Sequence, residues 1–149
     1  MRVRVNNTLA LASKNLLKEE MNNFEKLKDF TFDQKIGYIV CSLLDSTLRA
    51  VSENNFIISF DYDSNVKQNL LLLDKIEEVY SKITNSNKNI AIISDDEWNI
   101  VRDEYILNLK NGVKYTVEKE PDPILEEIEN NDIISNSAVE LFGDIVEID

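Results

Sequence analysis

Asp61, Asp63 and Asn65 stand at the first, third and fifth places of what begins like a calcium-binding loop. Such a loop needs glycine at its sixth place for a sharp turn and glutamate at its last for bidentate ligation. Those places hold Val66 and Leu72. The stretch therefore reads as Asp61 ending a strand and Asp63 capping a helix, where a carboxylate meets the positive end of the helix dipole. Asp95, Asp96 and Glu97 form a second carboxylate group, and it too fits the first turn of a helix. The chain has no histidine, which removes Ser-His-Asp and Cys-His catalysis and the commonest ligand of zinc and haem. With three glycines, Gly37, Gly112 and Gly143, no phosphate-cradling loop can be written. Cys41 is the single cysteine and lies in an apolar helical pattern, so it is expected as a small buried hydrophobe. Trp98 and Tyr105 are spaced as helix core rather than as a base-stacking platform. No catalytic, cofactor-binding or metal-binding residue is assigned, and no enzymatic activity is expected.

The elements that would position these side chains can be read from periodicity. Asn6-Asn7-Thr8 offers a helix cap, and residues 9–28 read as one helix with Leu17, Met21, Phe24 and Leu27 on its apolar stripe. Thr31-Phe32-Asp33-Gln34 has the form of a capping box, opening a second helix with Phe32, Ile36, Ile39, Val40 and Leu43 inward. Residues 47–51 and 56–61 read as a hairpin around Ser52-Glu53-Asn54-Asn55, with Phe56, Ile58 and Phe60 on one face. A long third helix is expected from Asp63 through Ile83, then a buried strand at Ile90-Ala91-Ile92-Ile93. A second box, Ser94-Asp95-Asp96-Glu97, opens a helix with Trp98, Val101, Tyr105 and Leu109 inside, closed by Asn111-Gly112. Residues 113–117 alternate weakly and could add a strand. The fold class is α+β: a small three-stranded sheet packed with about four helices, followed by an acidic tail.

Charge divides the chain. Of 28 Asp and Glu, 11 fall between Val117 and Asp149 against the single Lys119, while residues 1–116 are nearly balanced. Residues 1–116 are expected to form an α+β protein-interaction domain, and 117–149 an acidic linker with a docking peptide. Pro121 and Pro123 break any helix through the linker. The end, "SNSAVELFGDIVEID", nevertheless carries Val139, Leu141, Phe142, Ile145, Val146 and Ile148. Burying six such side chains contributes roughly 9–18 kcal/mol. Ordering the eleven or so residues costs about 11–22 kcal/mol in backbone entropy. The segment therefore needs a host surface, either its own domain or a partner that accepts a short helix or an added strand. Those six residues are the expected anchors, with Glu140, Asp144 and Glu147 facing a basic rim. No run approaches a membrane helix and the start lacks a secretory signal, so a cytoplasmic protein is expected. The acidity disfavours a nucleic-acid groove.

Three stretches resemble a known family: "RVNNTLALASKNLLKEE", "LLDSTLRAVSENNFIISFDYDSNVKQ", and "DDEWNIVRDEY" with the closing "AVELFGDIVEID". Together they are similar to the C-terminal region of the bacterial DNA polymerase III clamp-loader gamma/tau subunit, particularly from low-GC Gram-positive bacteria and their relatives. The resemblance implies a KH-like fold used for protein contacts and a flexible tail that grips the polymerase. It also implies a piece of a longer protein whose ATPase module, with its Walker loop, lies upstream. The implied role is a non-catalytic replisome adaptor that tethers the loader to the replicative DNA polymerase, the replicative helicase or both, with no cofactor. The Asn-rich "NNDIISNS" and the strong acidity depart from the family's pattern and leave the partner surface open. The alternatives are a single-stranded nucleic-acid-binding KH-like module and a purely structural or oligomerisation domain.

Overall fold

The computed structural model describes residues 1–119, and the tail anchors expected between Val139 and Ile148 lie outside them. Among the described residues six α-helices and three strands follow one another as α1 (Arg2–Ala10), α2 (Lys14–Leu27), a 3-10 turn (Lys28–Phe30), α3 (Gly37–Asp45), β1 (Thr47–Val51), β2 (Asn55–Phe60), α4 (Asp63–Leu71), α5 (Leu73–Thr84), β3 (Asn89–Ser94) and α6 (Asp95–Lys110). The α+β class holds, with more helices than the periodicity implied.

The sheet order is β1-β2-β3. β1 and β2 form the expected antiparallel hairpin, with an irregularity in register between Leu48 and Ala50. β2 and β3 pair in parallel, Phe56 opposite Ile90 and Ile58 opposite Ile92, so α4 and α5 make the crossover between them. Because successive strand side chains point to opposite faces, β2 and β3 each serve two cores. Phe56, Ile58, Phe60, Ile90 and Ile92 pack with Leu27, Ile39, Val40, Leu43, Ile76 and Tyr80 from α2, α3 and α5. On the other face Ile57, Ala91, Ile93 and Ala50 meet Val5 and Leu9 of α1 and Trp98 of α6. A central strand buried on both faces explains why residues 56–60 read as a nearly unbroken apolar run.

Two long helices expected from apolar spacing are each broken in two. The first breaks at Leu11–Ser13, where Ser13 caps α2 through its side chain and its N–H donates to Val51 O at 3.0 Å. The expected cap at Asn6-Asn7-Thr8 is instead the interior of α1, and Thr8 Oγ returns a hydrogen bond to Arg4 O. The second breaks at Leu72, which ends α4 and precedes α5. Tyr62, rather than Asp63, occupies the cap position of α4, with Asp63 in its first turn. The apolar stripe of the first helix lies wholly within α2, and at Leu72 a spacing of three and four survives a one-residue break, so periodicity detects neither.

The Thr31–Gln34 box opens no helix. Asp33 Oδ1 accepts from the N–H groups of Lys35 and Ile36, making a turn, and α3 begins only at Gly37. Phe32, expected inward, is 97% exposed, and Cys41, expected buried, is exposed with its thiol 3.8 Å from Thr31 O. Met21 and Leu109, expected on inner faces, also lie outside. The Ser94 cap is realised: its side chain accepts from Glu97 N–H at 3.1 Å. Gly112 takes φ +78° after α6, as a left-handed helix end requires. Residues 113–119 add no strand.

Candidate functional site

Nothing can be placed for the nine residues expected to bind a partner, since all lie beyond the described chain. The structure does place the point from which they depart. After Gly112 the chain turns back, and Tyr115 packs edge-on against Tyr105 at 4.9 Å between ring centres, its hydroxyl accepting from Asn108 Nδ2 at 3.0 Å. Asn6 Nδ2 then donates to Thr116 O at 2.8 Å. Asn7 holds Glu118 from both sides: its Oδ1 accepts the Glu118 N–H at 2.7 Å and its Nδ2 donates to the Glu118 carbonyl at 2.8 Å. The Glu118 carboxylate receives both terminal nitrogens of Arg2, at 3.2 and 3.0 Å, and is held below the usual carboxylate range by that pairing. Arg2, Asn6 and Asn7 of α1 thus clasp Thr116 and Glu118, and α6 holds Tyr115 beside them. The compact unit accordingly runs from Met1 to Glu118.

Two other polar clusters could do chemistry; the sequence showed nothing of the first and, of the second, only Asp61 and Asp95 without their meeting. The first surrounds Glu20, whose side chain on α2 is 1% exposed. It accepts the Tyr80 hydroxyl, Asn23 Nδ2 at 3.0 Å and Lys88 Nζ at 3.0 Å, with Ser86 Oγ at 3.4 Å. Burial alone would raise the Glu20 pKa, but these donors together hold it below the ordinary value. Burial and the same carboxylate drive the Tyr80 hydroxyl in the opposite direction, well above its ordinary value. Lys88 also donates to Ser52 O at 3.0 Å. The network therefore ties α2, α5, the hairpin turn and the start of β3, and it floors a cleft of about 380 Å³. Each buried charge is spent on a protein partner, which is the behaviour of a clamp rather than of a poised acid or base.

The second cluster lies where the parallel strands β2 and β3 end. Arg49 bonds Ser59 Oγ at 2.8 Å and Asp95 at 3.2 Å. Asp95 is held low by Ser59, then by Asp61 and Arg49, while its hydrogen bond pushes Asp61 up. Among the described residues no group of three or more His, Cys, Asp or Glu stands close enough to hold a metal ion, so the acidic groups at Asp61–Asp63 and Asp95–Glu97 do not converge on one. None of the described helices is long and apolar enough to cross a membrane.

No family model, curated protein or solved structure matches this chain.

Proposed function

We propose that this chain is a non-catalytic adaptor of the replisome type, the C-terminal part of a clamp-loader tau subunit that tethers the loader to the replicative DNA polymerase, the replicative helicase or both. The observation that carries the reading is the clasp at Asn7 and Glu118, taken together with the composition of the chain beyond it. An acidic segment ending in Val139, Leu141, Phe142, Ile145, Val146 and Ile148 starts from a point fixed by five hydrogen bonds to α1. A tether works when one end is anchored and the other carries affinity, because the anchored end sets the effective concentration of whatever the far end binds. The α+β class agrees with the KH-like body that the resemblance implies.

The test is binding of the replicative polymerase subunit to the full chain, to a Phe142→Ala, Ile145→Ala variant, and to a chain stopped after Lys119, which leaves the clasp whole. Loss of binding in both altered chains is expected. Equal binding by all three would remove the docking-peptide claim. No binding by the full chain to either polymerase or helicase would remove the adaptor reading itself.

A further inference from the structure

Tyr105 of α6 stands between two surface gaps whose charged lining residues are all bases, while a third gap beside Val5 and Ile93 carries Glu97. One hollow of about 280 Å³ has Leu17, Ala50 and Val51 on its walls and is bordered by Lys14 and Arg49. A second, of about 230 Å³, is formed by Leu9, Leu109 and Tyr115 with Lys114. Tyr105 lines both, so the two are neighbours separated by a single ring. In a chain with 28 acids against 16 bases, no Asp or Glu is among the residues lining either hollow. Arg49 spends part of its charge on Asp95. Lys14 and Lys114 are exposed, with no ion pair to any described residue.

We infer that these paired hollows are a docking groove on the body for a partner protein's peptide in which large apolar side chains alternate with carboxylates. Two apolar side chains would straddle Tyr105, one in each hollow, and the carboxylates between them would face Lys14 and Lys114. The chemistry selects this occupant. An apolar floor alone takes any hydrophobic segment, whereas a rim of one sign rejects basic peptides by leaving like charges together. Tyr115, the residue before the clasped Thr116, packs against Tyr105 and lines the groove.

The inference stands on the body's geometry and does not depend on the tail anchors. The experiment titrates the isotope-labelled full chain with two short synthetic peptides, one alternating Leu and Phe with Glu, the other alternating the same residues with Lys. The expected result is saturable binding of the Glu peptide alone, with amide shifts centred on Leu9, Leu17, Ala50, Tyr105 and Tyr115. A Lys14→Glu, Lys114→Glu variant, altered only at exposed positions, should weaken the Glu peptide tenfold or more and gain affinity for the Lys peptide. Equal binding of the two peptides, shifts centred elsewhere, or an unaffected double variant would each overturn the groove. So would failure of the Glu peptide to bind up to about 1 mM, whether the hollows take nothing or the chain's own closing residues already fill them.

Discussion

Glu20 shows how much one buried side chain can organise. Removing it leaves the Tyr80 hydroxyl without its acceptor and a Lys88 ammonium, only 14% exposed, without its carboxylate and with the Ser52 carbonyl still in reach. Breaking a buried pair from one side costs about 3–5 kcal/mol, so Glu20→Ala should lower the urea midpoint by a large fraction of the total stability, while Lys82→Ala, an exposed pair with Glu78, should not move it. The pH dependence comes from the direction of the shift. Because the folded pKa of Glu20 lies below its unfolded value, its contribution is present above the unfolded value, near 4.3, and is lost as pH falls through the folded one. Urea midpoints measured from pH 6 downward should therefore fall in the wild type, and the fall should be shallower in Glu20→Gln. Gly37 makes a second residue-scale prediction. A Cβ there would sit 2.7 Å from the Thr31 carbonyl oxygen, a backbone atom that cannot swing away. Gly37→Ala should cost about 1–3 kcal/mol, read by thermal unfolding. Phe32→Ser, by contrast, should shift stability by less than about 0.5 kcal/mol, because the ring is already in solvent.

At the scale of elements, the sheet's two faces and one of its edges are closed by different means. The faces are covered by apolar packing. The outer edge of β3 is closed by side chains: Arg4 donates to Ile90 O at 2.9 Å, and Glu77 accepts Ile90 N–H at 2.8 Å while pairing with Arg4 at 3.0 Å. A strand edge satisfied at Ile90 in this way is a poorer template for another chain. Glu77→Leu should cost about 1–3 kcal/mol by orphaning that N–H, and it should speed exchange of the Ile90 amide specifically. The clasp on segment 115–118 obeys the same logic. Asn7→Ala removes both bonds to the Glu118 backbone, so hydrogen exchange at Glu118 should rise to the rate of a free amide. Exchange at Trp98 and Ile57, in the core beneath α1, should stay slow. If Glu118 exchange is unchanged in that variant, the clasp does not hold the segment.

For the whole molecule, the separation of charge is the governing fact. The net charge of −12 is concentrated after residue 116, and that sign repels phosphate. A labelled single-stranded oligonucleotide should show no anisotropy change with the full chain at about 0.15 M salt, where surface charges are screened beyond roughly 8 Å. Binding that weakened steeply with added salt would favour the nucleic-acid-binding alternative instead.

Residue types and their spacing were enough to determine the α+β class, the hairpin, the buried strand at Ile90–Ile93, the Ser94 cap and the glycine that ends α6. Each of these rests on chemistry local to a few residues: alternation, a hydroxyl three positions before a carboxylate, a backbone that must reach positive φ. The sequence alone also located the acidic, apolar-ended tail. Tertiary structure alone decided the breaks at Leu11–Ser13 and Leu72, the outward turn of Phe32 and Cys41, the parallel pairing of β3, and the meeting of Glu20 with Lys88 and Asn7 with Glu118. Those contacts join residues 68 or 111 positions apart, or depend on which apolar side chains find a partner. Such a choice is made by packing against the rest of the chain, which no window of sequence contains.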